Sequence, residues 1–237
     1  MLRKNGRSDL DVQILASSSS GNCYALICDD SVLLLEAGIP VSKLRSRLTA
    51  PLSRVVACLI SHEHKDHAGY ARQYWDAGIQ ILSSPGTIEN VGYGMSIPAL
   101  DYFWEGWTIT SFVAKHDAVD PQGFIIDAPD GTTVVFAIDT YLLPYIFMGV
   151  NVWMLECNYD LAILQDNIDA GLIPDAQAKR ILQSHMSVDH VCTFLRAQDL
   201  SETRAVYLLH GSARNINKKA AADKVRGVVG VPVYWRT

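Results

Sequence analysis

Residues 61–67 read Ser61-His62-Glu63-His64-Lys65-Asp66-His67, and this heptad follows directly on the apolar run Val55-Val56-Ala57-Cys58-Leu59-Ile60. A run so rich in β-branched and aliphatic residues predicts a buried strand. Three imidazoles and two carboxylates therefore stand where the chain leaves a sheet, the place where mixed α/β folds bind ligands. His62 and His64 are two positions apart, so an extended or tightly turned backbone aims both at one cation. Asp66 and His67 can reach a second cation on the far side. Neutral imidazole nitrogens with carboxylate oxygens suit zinc, with manganese and iron as competitors. A polar loop of merely solvated histidines is the plainer account, but it does not explain why the other histidines also fall at element ends.

Composition points to one globular domain. The chain has 237 residues, 49% of them hydrophobic, enough for a sizeable core. A single domain over residues 1–237 is the expectation. No apolar stretch approaches the roughly 20 residues that a membrane span needs. Residues 1–11 are polar and mixed in charge, without the apolar segment of a signal peptide. Cys23, Cys28, Cys58, Cys157 and Cys192 are an odd number without a paired framework, and Cys23 and Cys28 are too far apart for a CxxC clip. Reduced core thiols in a cytoplasmic protein are expected. The net charge of −5 argues against a broadly basic nucleic-acid-binding surface and leaves room for a local patch.

Periodicity predicts a strand-rich first half. Residues 12–16, 24–28 and 31–35 are short apolar runs, the first two separated by Ser17-Ser18-Ser19-Ser20-Gly21-Asn22, the last two by the hairpin turn Asp29-Asp30. Residues 40–48 predict a helix, as do residues 68–77, stopped by Gly78. Residues 79–82 predict a short strand, and residues 87–105, rich in Gly, Pro and aromatics, a surface loop. In the second half, residues 107–114 alternate like a strand and deliver His116. Residues 123–127 and 132–137 predict a hairpin around Pro129-Asp130-Gly131 that leads to Asp139. Residues 150–155 deliver Glu156 and residues 205–209 deliver His210. Helices are expected over 161–170, 188–197 and 213–225, and a last strand over 231–234. Two strand-rich blocks, each followed by helices, predict two sheets packed face to face with helices outside.

Six of the seven histidines thus fall in strand-end or inter-element loops, and Asp139 and Glu156 share that placement. Singly, His116 or His210 would more often be an ordinary surface or capping residue. Together with the heptad they supply the ligands that two metals would still lack. His190, within an expected helix, is read as structural.

His62-Glu63-His64-Lys65-Asp66-His67 resembles the HxHxDH motif of the metallo-β-lactamase superfamily. The Ser-rich loop ending in Gly21-Asn22-Cys23-Tyr24 resembles the opening of its WalJ (YycJ-like) branch of nucleases. So do, in order, His116-Asp117-Ala118 before Pro121 and Gly123, Ala137-Ile138-Asp139-Thr140, Glu156-Cys157-Asn158-Tyr159-Asp160, Ser184-His185-Met186-Ser187 and Leu209-His210-Gly211-Ser212-Ala213-Arg214-Asn215. The match runs over residues 12–216. HxHxDH alone specifies the superfamily, whose members hydrolyse β-lactams, thioesters, lactones and phosphodiesters; the later Glu…His…His order resembles the phosphodiesterase branch that also contains ribonuclease Z.

The resemblance implies a four-layer αββα sandwich with two divalent ions, zinc foremost and manganese second. It implies His62, His64 and His116 on one metal, Asp66, His67 and His210 on the other, and Asp139 bridging them. Two adjacent cations make a bridging hydroxide available near neutral pH and neutralise a phosphodiester's charge. Asp66, Glu156 and His185 are the implied catalytic groups. A carboxylate at one ring nitrogen raises the imidazole pKa and leaves the other nitrogen protonated, to donate to the departing oxygen. Two positions depart from the family pattern. Glu36 stands before Ala37-Gly38 where Asp, a support of the metal loop, is usual, and His210-Gly211-Ser212 replaces His-Leu-Ser, a change of packing.

The function implied is a metal-dependent DNA exonuclease. Ser19, Ser20 and Asn22 of the small-residue loop are expected to bring polar groups up to a phosphate. Arg214, with Lys218 and Lys219, would line the cleft. A phosphodiesterase acting on small cyclic or modified nucleotides is the alternative, favoured by the acidic balance. A degenerate fold serving only to bind is disfavoured by the intact ligand pattern. A nucleic acid is thus the expected partner and a membrane is not; self-association is left open.

Overall fold

The computed structural model describes residues 9–98 and 100–235; the first eight residues of the polar N-terminal stretch lie outside them. The chain divides into two compact units, one of Met1–Val113 with Ala118–Thr133, the other of Ala114–Asp117 with Val134–Thr237.

The first unit is built on a six-stranded sheet. Its strands β1 (Asp11–Ala16), β2 (Cys23–Cys28) and β3 (Ser31–Leu35) are antiparallel neighbours. Cys28 pairs with Ser31 across the expected two-residue turn, where Asp29 takes φ 49°. After helix α1 (Val41–Arg47), strand β4 (Val55–Leu59) returns parallel to β3, with Leu35 opposite Leu59. That register sets Glu36 beside the start of the His-rich heptad. Leu33, Leu34, Leu35, Cys58 and Leu59 are all fully buried. Burying each leucine contributes about 1.5–3 kcal/mol.

The helix expected over 68–77 is two short ones, α2 (Lys65–Ala68) and α3 (Ala71–Asp76). The break has a cause: the Tyr70 N–H donates to Ala37 O at 2.9 Å instead of continuing the helix. A Cβ at Gly69 would also sit 2.2 Å from Lys65 O. Strand β5 (Ile81–Ser83) follows, parallel to β4.

The surface loop expected over 87–105 is mostly ordered structure: helix α4 (Pro85–Val91) and strands β6 (Met95–Ser96) and β7 (Tyr102–Trp104). The helix signals were present in the sequence. Ser84 caps by accepting from Thr87 N–H, Pro85 opens the first turn, and Gly92 closes the helix at φ 78°. Strands β8 (Trp107–Val113) and β9 (Gln122–Asp127) extend antiparallel from β7. Two indoles tie this ladder to the first sheet within the unit: Trp104 Nε1 donates to Val56 O and Trp107 Nε1 to Ser31 Oγ, both at 3.0 Å.

The second unit is built on parallel strands: β10 (Thr133–Ala137), β11 (Val152–Glu156), β12 (Ala205–Leu209) and β13 (Val233–Trp235), hydrogen-bonded in that order. Ala137 lies opposite Leu155, and Glu156 opposite Leu209, so three strand ends are level at one edge. Between β11 and β12 run α5 (Leu161–Asp169), α6 (Asp175–Ser184) and α7 (Val188–Arg196).

Helix α6 was not expected from the pattern. It buries only Ala178, Ile181 and Ser184 and has no side-chain cap, so its apolar signal is thin. Helix α7 is the opposite case, capped by Ser187 and buried at Val188, Val191, Cys192 and Leu195. The last helix, α8 (Lys218–Val229), starts five residues later than the expected 213. Asn217 caps it by accepting from Ala220 N–H at 3.1 Å, while Ser212 Oγ accepts from Arg214 and Asn215 N–H, which holds the preceding segment as a turn.

All five cysteines are buried and free. No helix among the described residues is long and apolar enough to cross a membrane.

Candidate functional site

In the first unit, the heptad is assembled against two segments far away in sequence. His62 and His67 are buried, with ring centroids 4.2 Å apart; the His62 and His64 rings are 4.7 Å apart, edge to face. Ser61 Oγ lies 2.8 Å from His62 Nδ1 and helps fix that ring.

Glu36 is fully buried at φ 67°, a left-handed conformation that costs a non-glycine residue on the order of 1–3 kcal/mol. Its Oε1 accepts from Ser61 N–H at 3.2 Å and its Oε2 lies 3.4 Å from His67 Nδ1. The longer glutamate thus supports both ends of the heptad. Burial pushes its carboxyl pKa up, against the smaller opposing pull of His67.

The loop 17–22 folds on itself. Ser18 and Ser20 hydroxyls lie 2.8 Å apart, and Ser19 and Ser20 are exposed. Asn22 is placed differently from these serines: it is fully buried. Its Oδ1 accepts from Ser18 N–H and the Tyr24 hydroxyl, and its Nδ2 lies 3.3 Å from Asp66 O and Oδ2 and 3.2 Å from His67 Nε2. Asn22 is therefore a support of the Asp66–His67 corner, in place of the expected phosphate contact. Gly38 completes the corner, since a Cβ there would sit 1.9 Å from Asp66 O and 2.4 Å from Asn22 N.

In the second unit, four side chains converge from three strand ends and one helix end. Donor atoms of Asp139, Glu156, His185 and His210 all lie within 4.8 Å of one another. Asp139 and His210 take φ 48° and 52°, so two left-handed non-glycine residues flank the cluster. His210 Nδ1 is 2.9 Å from Asp139 Oδ1, and His116 Nε2 is 3.6 Å from Asp139 Oδ2.

Glu156 is fully buried and completely engaged. Its Oε2 accepts from the N–H groups of Thr140 and Met186, and its Oε1 lies 2.5 Å from His185 Nδ1 and 3.3 Å from His210 Nδ1. Burial favours its neutral form, but the charge of His185 and the hydrogen bonds of His185 and His210 outweigh burial and lower its pKa. For His185 burial likewise opposes the charge, and Glu156 with Asp139 overrides it, pushing the imidazole up to about 9. His116 goes the other way: burial lowers its pKa beyond what Asp139 and Glu156 restore, leaving the neutral form that ligates metals. Its Nδ1 lies 3.2 Å from Ser184 O.

Buried imidazole beside carboxylates is the donor chemistry of a divalent-metal site, and each unit carries such side chains. Arg214 is exposed on the turn after His210, which Asn167 pins by donating to Arg214 O at 3.0 Å. The sequence departure at Gly211 is explained by packing. A Cβ there would meet Cζ2 of Trp235 at 2.4 Å, so that indole occupies the place of a side chain at 211.

Comparison with known proteins agrees with this chemistry. The structure is similar to the metallo-β-lactamase fold protein YhfI from Bacillus subtilis, with a TM-score of 0.73, 18% identity and 97% of each chain covered. The fold is therefore the metallo-β-lactamase fold, mixed α/β with two sheets and helices. No protein-family model matches the chain. It is 30% identical over 233 residues to exodeoxyribonuclease WalJ of Streptococcus pneumoniae serotype 2, covering 88% of this chain and 84% of the relative. It is 25% identical over 245 residues to exodeoxyribonuclease YycJ of Bacillus anthracis, covering 93% and 89%. The chain belongs to the WalJ/YycJ family.

Proposed function

We propose that this protein is a DNA exonuclease, hydrolysing phosphodiester bonds with two divalent ions, Zn²⁺ foremost and Mn²⁺ as the alternative. The observation that carries the reading is the pair of buried Glu156 and half-buried His185 set against Asp139 and His210 at level ends of parallel strands. The DNA substrate is carried over from the relatives named exodeoxyribonuclease, and the five buried free thiols support a cytoplasmic setting.

In this reading the two compact units work as a single domain. His62, His64 and His116 would hold one ion and Asp66, His67 and His210 the other, with Asp139 contributing to both. Metals held there would make water easier to deprotonate near neutral pH and would place positive charge opposite the phosphodiester. The protein's residues do the rest. Asp66 is held by Asn22 at the heptad corner. Glu156 fixes His185 through Nδ1, which leaves Nε2 to give its proton to the departing oxygen. Ser19, Ser20 and Arg214, all exposed, take the phosphates next to the scissile one.

The test is a digest of linear DNA, structured RNA and cyclic nucleotides by protein reconstituted with zinc or manganese. Degradation of linear DNA from its ends is expected. Turnover of cyclic nucleotides with no action on any DNA end would replace the DNA assignment with a small-nucleotide phosphodiesterase.

A further inference from the structure

The second unit contains an apolar cleft that the chemistry above does not use. Its volume is about 280 Å³, and Leu142, Tyr145, Ile146, Met186, His190 and Phe194 line it. A cavity of roughly 150 Å³ already accepts a benzene ring. The space therefore fits a planar heterocycle.

The cleft is rigidly built. One wall is the segment after Thr140, the other is helix α7. Gln198 clamps them: its Oε1 accepts from Phe147 N–H at 2.9 Å and its Nε2 donates to Tyr145 O at 3.1 Å. Thr140 Oγ1 holds the segment's start by donating to Leu142 O at 2.9 Å. Behind it, Phe147, Trp153 and Phe194 pack edge to face with centroids 5.6–6.2 Å apart. At the rim, Leu142 and Ile146 nevertheless remain 49% and 64% exposed.

Position decides what occupies it. Thr140 and Met186 are the two residues whose N–H groups hold Glu156 Oε2, and Glu156 Oε1 holds His185. Thr140 leads directly into one wall and Met186 is part of the lining. The cleft wall at Met186 is thus the chain neighbour of His185, the proposed general acid. In a nucleic acid, the sugars on either side of a phosphodiester carry planar bases with apolar faces. We infer that the cleft receives the nucleobase adjacent to the scissile phosphodiester, a further substrate subsite that rests on the nuclease reading above. The Gln198 amide, the one side-chain amide in the lining, is consumed by the clamp. Recognition is thus by stacking and apolar contact and is tolerant of base identity. His190, read from sequence as structural, belongs to this wall.

The test compares a short single-stranded DNA oligonucleotide with the same oligonucleotide made abasic at both ends. Two rim variants are assayed beside the wild type: Ala197→Phe, which fills the cleft from an exposed position, and Ile146→Asp, which charges its edge. The wild type should prefer the native-ended substrate in kcat/KM by roughly five- to hundredfold, the range that loss of one stacked base produces. Both variants should bring that ratio close to one, with association state by light scattering as in the wild type. Equal turnover of the two substrates by the wild type, or full preference retained in both variants, overturns the inference. Retained preference with altered self-association in Ile146→Asp would reassign the cleft to a second copy of the chain. Hydrolysis of neither oligonucleotide by the metal-loaded protein would remove the nuclease reading itself, an outcome distinct from equal hydrolysis of both.

Discussion

The two ligand-bearing regions are made in opposite ways. In the first unit, four ligand candidates lie within six residues, His62 to His67, on the loop after β4 and the start of α2. In the second, Asp139, Glu156, His185 and His210 are spread over 72 residues and are brought together by strand register and the end of α6. The contiguous cluster depends on distant supports, since Glu36, Gly38 and Asn22 shape it from other elements. The dispersed cluster supports itself, with Glu156 accepting from Thr140, Met186 and His185. A dense motif thus has its chemistry in the loop and its geometry elsewhere, whereas a dispersed site has both in the same residues.

Substitutions can break that contrast at either end. The largest effect should come from Asp139→Ala. Because this carboxylate is proposed to serve both ions, metal content measured by elemental analysis should fall at both sites and DNA hydrolysis should be abolished; His116→Ala should cost one ion and spare the other. Loss of a single ion in Asp139→Ala would show that the two clusters load independently.

His185→Ala should come next. DNA hydrolysis should fall by about 10²–10⁴, the usual contribution of a positioned acid. A nitrophenyl phosphodiester, whose leaving group is a weak base, should lose far less, and metal content should be unchanged. Equal losses on both substrates with a depleted site would make His185 a ligand or a prop.

A smaller effect is expected from Glu36→Gln, which keeps the shape of the support and removes its charge. Loss of a partner to a ligand typically costs about 10–100-fold in metal affinity. Competition with a chelating dye reads it directly, and unchanged affinity would mean that the contact from Glu36 to His67 is packing alone. Smallest is the combined Arg214→Gln and Lys218→Gln change. It should lower the slope of log affinity for DNA against log salt by about one to two, roughly one per phosphate contact removed. An unchanged slope would place the backbone contacts elsewhere.

The same contrast explains what was legible in the sequence. The His-rich heptad and its strand could be read because spacing and an apolar run are local. Asp139, Glu156 and His210 could be placed at strand ends, and their motifs resembled a known family. The support role of Asn22 could not be read, because nothing local distinguishes an amide facing a phosphate from one turned inward to Asp66. Helix α6 was hidden by its few buried residues, and the turn after His210 was mistaken for helix because Ser212's hydroxyl competes with helical hydrogen bonding. Helix α4 carries local signals in its Ser84 cap, Pro85 and Gly92, but the Gly and aromatic content of 87–105 reads as loop and masks them. The apolar cleft had no sequence signature, because its two walls are separated in the chain and joined by Gln198.

The central claim is that the heptad and the dispersed cluster act on two ions together. The most direct measurement is metal content per chain by elemental analysis, on protein purified without chelators and then reconstituted with zinc or manganese. Close to two ions per chain are expected, falling toward none in Asp139→Ala. No bound metal in the purified protein, with neither zinc nor manganese taken up on addition, would contradict it.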